Sequence, residues 1–74
     1  MREITFVVSE DQLDGGFTAS AHWPDGNRDI VTEGDTRDDL LRNIRDAIDA
    51  TFDENERKPE LIHLHFVRDE VVAV

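Results

Sequence analysis

The segment His63-Leu64-His65 puts two imidazoles one residue apart. In a strand, residues two apart share a face, so this pair could chelate a zinc or nickel ion. A closed site needs further ligands, and the same strand offers neither an acid nor a cysteine. His22 can share that side of a sheet. With the strand order expected below it lies roughly two spacings of about 4.8 Å from the pair. Histidines lining an open sheet face or a contact between copies fit the pattern better, and no metal is expected. The carboxylates are the second set. Asp38, Asp39, Asp46, Asp49 and Asp53 recur along one amphipathic stretch. Two-metal hydrolysis needs carboxylates clustered inward from strand and helix. The first strand offers Thr5, Val7 and Ser9, and the helix acids fall on the outward stripe with Arg42 and Arg45 at helical spacing. A solvated, ion-paired face explains them. The chain reads as non-catalytic and without a cofactor.

The elements that position these residues follow from periodicity. Ile4, Phe6 and Val8 alternate with Thr5, Val7 and Ser9, giving a strand with one core face. Glu10 to Gly16 is a polar loop whose Asp14-Gly15-Gly16 ending signals a hairpin. Phe17 to Trp23 is the second strand; Phe17, Ala19, Ala21 and Trp23 share a side, so Trp23 reads as a core cap. Pro24-Asp25-Gly26-Asn27 is a turn, and Ile30 to Glu33 a short third strand. Gly34-Asp35-Thr36 then allows a sharp turn and a helix cap, with Asp39 at the far side of a capping box. A helix over about Thr36 to Glu54 presents Leu40, Leu41, Ile44, Ala47, Ile48, Thr51 and Phe52 on one stripe. Pro59 prevents continuation. Leu61 to Val67 is the fourth strand, with Ile62, Leu64 and Phe66 opposite His63 and His65. Val71 to Val74 is an apolar tail that extends this strand or pairs elsewhere.

The expected fold is α+β, a single domain over 1–74 in two layers, β-β-β-α-β. Its sheet order is 3-2-1-4, with one helix on one face and the last strand parallel to the first. The expected core is Phe6, Val8, Phe17, Ala19, Ala21, Leu40, Ile44, Ile48, Phe52, Leu64 and Phe66.

Composition narrows the function. Eighteen acidic residues oppose eight basic ones, for a formal charge of -10. Such a chain repels phosphate backbones, so direct nucleic-acid binding is not expected; a basic protein partner is. Asp outnumbers Glu, and a single lysine, Lys58, stands against a majority of arginines, a bias that resembles proteins adapted to high salt. No stretch has membrane-spanning length and the N-terminus has no leader pattern, which makes the cytoplasm the expected compartment. A core this small is helped by disulfides, metal or self-association. Without cysteine, self-association as a dimer or a pair of dimers is expected.

Three motifs carry a resemblance. Gly15-Gly16-Phe17-Thr18-Ala19 follows the first strand, Thr32-Glu33-Gly34-Asp35-Thr36 precedes the helix, and Asn43-Ile44-Arg45-Asp46-Ala47-Ile48 lies within it. In order and spacing the chain resembles the HicB-type antitoxin domain of toxin–antitoxin pairs, from about Ile4 to Phe66. The resemblance implies a partial ribonuclease-H-like fold. It also implies an antitoxin that occludes a small basic RNA-cleaving toxin. Family members often carry a "P-D-L-P-G" turn where this chain has Trp23-Pro24-Asp25-Gly26-Asn27. Many add a C-terminal DNA-binding module; Val74 leaves no room for one, so operator binding by this chain is not expected. The acids expected to meet a basic partner are Asp46 and Asp49 on the helix and Glu10, Asp11 and Asp14 in the loop. The competing reading is a stand-alone self-associating module with a regulatory role and no toxin.

Overall fold

The computed structural model describes residues 2–11, 13–24 and 27–74. The elements run β1 (Glu3–Glu10), β2 (Phe17–Trp23), β3 (Arg28–Gly34), α1 (Arg37–Thr51) and β4 (Leu61–Val67). They form one four-stranded sheet in the order β3-β2-β1-β4. β1 pairs antiparallel with β2 and parallel with β4, and β2 pairs antiparallel with β3. This is the α+β layer pair and the strand order expected from the sequence. The parallel pair needs a crossover, and α1 supplies it. The turn expected at 24–27 lies partly outside the described residues; of it, the Asn27 amide donates to the Pro24 carbonyl at 3.2 Å.

The core lies between the sheet and α1. Ile4, Phe6 and Val8 of β1 meet Ala19, Ala21 and Trp23 of β2, Ile30 of β3, and Leu40, Ile44, Ile48 and Phe52. Trp23 is buried, in edge-to-face contact with Phe52 at 5.5 Å between ring centroids. The small side chains of Ala19 and Ala21 allow the close approach of α1.

One expected core residue is corrected: Phe66 is 50% exposed, while Leu64 and Phe17 are half-buried and pack against the edge of the core. The reason is the placement of α1, which packs on β3 and β2 and not over β4. One helix is narrower than four strands at about 4.8 Å spacing, so the strand farthest from it stays uncovered. Phe66 keeps an edge-to-face contact with Phe17 at 6.2 Å.

The helix is also shorter than the expected 36–54. Thr36 is its N-cap, and the Asp39 amide donates to Thr36 Oγ1 at 3.1 Å. The Asp39 carboxylate pairs with Arg42 at 3.1 Å, a partner the capping-box reading did not supply. At the other end Phe52 leaves helical geometry (φ −107°, ψ 133°), directing its ring onto Trp23. Asp53 and Glu56 then close a small turn: the Glu56 amide donates to the Asp53 carbonyl, and the Asp53 amide to Glu56 Oε1. The last turn carries no basic residue of its own. Arg28 of β3 fills that role, donating to the Thr51 carbonyl and to Glu56, with its guanidinium 5.1 Å from the Phe52 ring centre.

Candidate functional site

The Gly34 junction serves packing more than turning. A Cβ on Gly34 would stand 2.4 Å from the Leu40 amide nitrogen and 2.6 Å from Leu40 Cα. The first turn of α1 therefore rests directly on the end of β3. Left-handed backbone occurs instead at Gly15 (φ 75°) and Gly16 (φ 86°), in the β1–β2 hairpin. Asn43, from the helix motif, locks the same corner, its side-chain amide donating to the Glu33 carbonyl at 2.6 Å.

These contacts bring the hairpin, the end of β3 and the start of α1 around one open cleft of about 440 Å³. The acidic residues Asp11, Glu33, Asp35 and Asp39 are among its lining residues, with Arg42 the basic one. Gly15, Gly16 and Gly34 also line it. Such a cleft can accept hydrogen bonds from a guanidinium or an ammonium.

The five expected partner-facing acids are not one surface. Asp11 lines the cleft, but its Oδ1 accepts the amides of Leu13 (3.0 Å) and Asp14 (3.2 Å), so it also holds the loop. Glu10 and Asp14 are exposed beside it. Asp46 and Asp49 lie in the C-terminal half of α1, away from the residues that line the cleft, and both are exposed. Asp49 is paired with Lys58 at 3.2 Å. Glu33, Asp35 and Asp39 were missed as partners of the loop acids. Only the β2–β3 register, which sets Phe17 opposite Gly34, brings them to the hairpin.

The open face of the sheet carries Thr5, Val7, Thr18, Ser20, His22, Val31, His63, His65 and Val67. All three histidines of the chain lie here. The rings of His63 and His65 are 6.4 Å apart, and His63 Nδ1 lies 3.4 Å from Thr5 Oγ1. His22 is held on Asp29 at 2.7 Å, on the far side of β1. Among the described residues no three His, Cys, Asp or Glu side chains stand in a metal-holding arrangement. No helix of the described residues is long and apolar enough to cross a membrane.

No family model and no solved structure matches the chain. Over 73 residues it is 37% identical to a UPF0150 protein of Thermotoga maritima, an alignment covering 99% of this chain and 94% of that protein. The likeness spans every element described above, and this chain belongs to the UPF0150 family.

Proposed function

We propose that this chain is a non-catalytic, antitoxin-like protein of the cytoplasm that binds a small basic RNA-cleaving protein and occludes it. The observation that carries the reading is the acidic cleft between the hairpin and the start of α1, on a chain of formal charge -10. A protein that grips RNA must present basic side chains, and opposite fields accelerate encounter. Arg and Lys side chains of such a partner would enter the cleft against Asp35 and Asp39. The exposed acids Asp46 and Asp49 extend the field along α1. Two of the cleft carboxylates, Asp11 and Asp39, already hold a loop and an arginine, which suits a binding surface better than a reactive centre.

The test looks for a small basic reading frame encoded beside this chain and mixes its purified product with the purified chain. The expected result is a stable complex that blocks RNA cleavage at equimolar ratio. Failure to bind such a partner, or binding of operator DNA by this chain unaided, would overturn the reading. The second reading, a self-associating module without a toxin, is favoured by the uncharged centre of the open face around Val7, Ser20 and His65 and by the exposed Phe66 and Val67 of β4.

A further inference from the structure

Among the described residues β4 is an edge strand, hydrogen-bonded to β1 on one side only. An exposed apolar edge is a template for another strand. None of the seven residues Leu61–Val67 is charged, on a chain in which charged residues make up 35%. Leu61, Phe66 and Val67 are all substantially exposed, and of the helix-side row Ile62 and Leu64 are only partly buried, because α1 does not reach β4. Strands that end sheets are commonly protected by charges, prolines or bulges. Here the protection is confined to the flanks, at Lys58, Pro59 and Glu60 before the strand and Arg68, Asp69 and Glu70 after it.

Those flanks select an occupant. In a two-fold antiparallel pairing of β4 with β4 of a second copy, both helices lie on the same side, and one residue of β4 sits opposite itself. With Leu64 on the axis, Ile62 meets Phe66, Leu61 meets Val67, and His63 meets His65. Glu60 then falls opposite Arg68, and Lys58 opposite Glu70. Moving the axis to His65 sets Glu60 against Glu70. Moving it to His63 sets Lys58 against Arg68. Only the Leu64 register joins apolar to apolar and opposite charge to opposite charge, and like charges directly across a ladder are unfavourable.

We propose that the partner of this edge is a second copy of the chain. β4 pairs antiparallel with β4 about Leu64, so that two four-stranded sheets become one. Two copies of formal charge -10 repel, and a closed two-fold contact brings each patch against itself. An acidic face meets its own charge in such a contact, whereas β4 meets none. The pairing is measured on the purified chain alone, so its outcome is separate from that of the toxin reading.

The experiment places single cysteines, on a chain that has none, at His63, Leu64 or His65. Directly opposite residues bring their Cβ atoms to about 5 Å, close to disulfide reach, while diagonal ones lie about 7 Å apart. Under mild oxidation Leu64→Cys is expected to form a covalent dimer and the other two are not. A companion series needs no core residue. Glu60→Arg or Arg68→Glu alone should weaken the dimer about tenfold in sedimentation equilibrium, and the double exchange should restore it. A monomer at micromolar concentration would overturn the proposal. So would cross-linking through His63→Cys or His65→Cys in preference to Leu64→Cys, or charge variants that leave association unchanged.

Discussion

Replacing Gly34 by alanine tests how α1 is seated. The added Cβ would stand 2.4 Å from the Leu40 amide nitrogen, 2.6 Å from its Cα and 2.9 Å from the Asp39 carbonyl carbon. All three are backbone atoms of the first helical turn, so no side chain can rotate out of the way. Relief requires α1 to move by close to an ångström against β3, and the Asn43–Glu33 hydrogen bond at 2.6 Å resists that movement. Overpacking of this kind costs about 3 kcal/mol at the upper end of the usual range. Loss of glycine's freedom in the unfolded chain returns up to about 1 kcal/mol. The net is a destabilisation of about 2 kcal/mol, which for a domain of this size lowers the melting temperature by roughly 8–16 °C. Circular dichroism on heating, with urea unfolding alongside, measures it. Gly15→Ala is the control. Gly15 has a positive φ of 75° but nothing within 4 Å of an added Cβ. Its cost is left-handed strain alone, about 1–2 kcal/mol, which the same entropy gain offsets only in part. If Gly34→Ala melts at or above the wild-type temperature, or no lower than Gly15→Ala, the account of the junction is wrong.

Three further outcomes are expected. The Arg28 hydrogen bond, helped by the Asp53 amide, holds the Glu56 carboxyl below its usual 4.5. A depressed folded pKa contributes stability that is present above pH 4.5 and lost as pH falls through and below it. Glu56→Gln should therefore flatten the acid limb of stability measured by urea unfolding between pH 6 and 3, and an unchanged limb would refute it. Added salt should raise the melting temperature, because it screens the repulsion among the acids within a Debye length of about 10 Å at 0.1 M; a flat or falling trend would count against that. Reversing Asp46 and Asp49 to lysine should slow association with a basic partner more than it changes dissociation, read by surface plasmon resonance at two salt concentrations. Asp46 is exposed, and Asp49 gives up only its surface pair with Lys58, so circular dichroism should report an intact fold.

Periodicity determined the elements. The two-residue alternation of Ile4, Phe6 and Val8 and the helical stripe of Leu40, Ile44 and Ile48 name the buried faces directly, and all six side chains are buried. Order β3-β2-β1-β4 follows from two short connections and one helical crossover, because tight turns allow only antiparallel neighbours and a right-handed crossover returns the chain beside β1. A helix cap at Asp35 or Thr36 was legible from residue type and spacing, and the structure gives the role to Thr36. What the sequence could not carry was lateral placement. Whether α1 sits over β3 or over β4 depends on side-chain volumes across the sheet and on the contact of Gly34 with Leu40, which no window along the chain contains. That placement decided that Phe66 lies at an uncovered edge and Leu64 at the margin of the core, while Ile30 and Trp23 lie inside. Long-range register decided the cleft in the same way. Asp11 and Asp39 are 28 positions apart in the numbering and line one cleft because β2 sets Phe17 against Gly34. Arg28 closes the end of α1 from a different strand, a role that spacing along the helix could not announce. Local patterns report which way a side chain faces; only the packed sheet and helix fix what it faces.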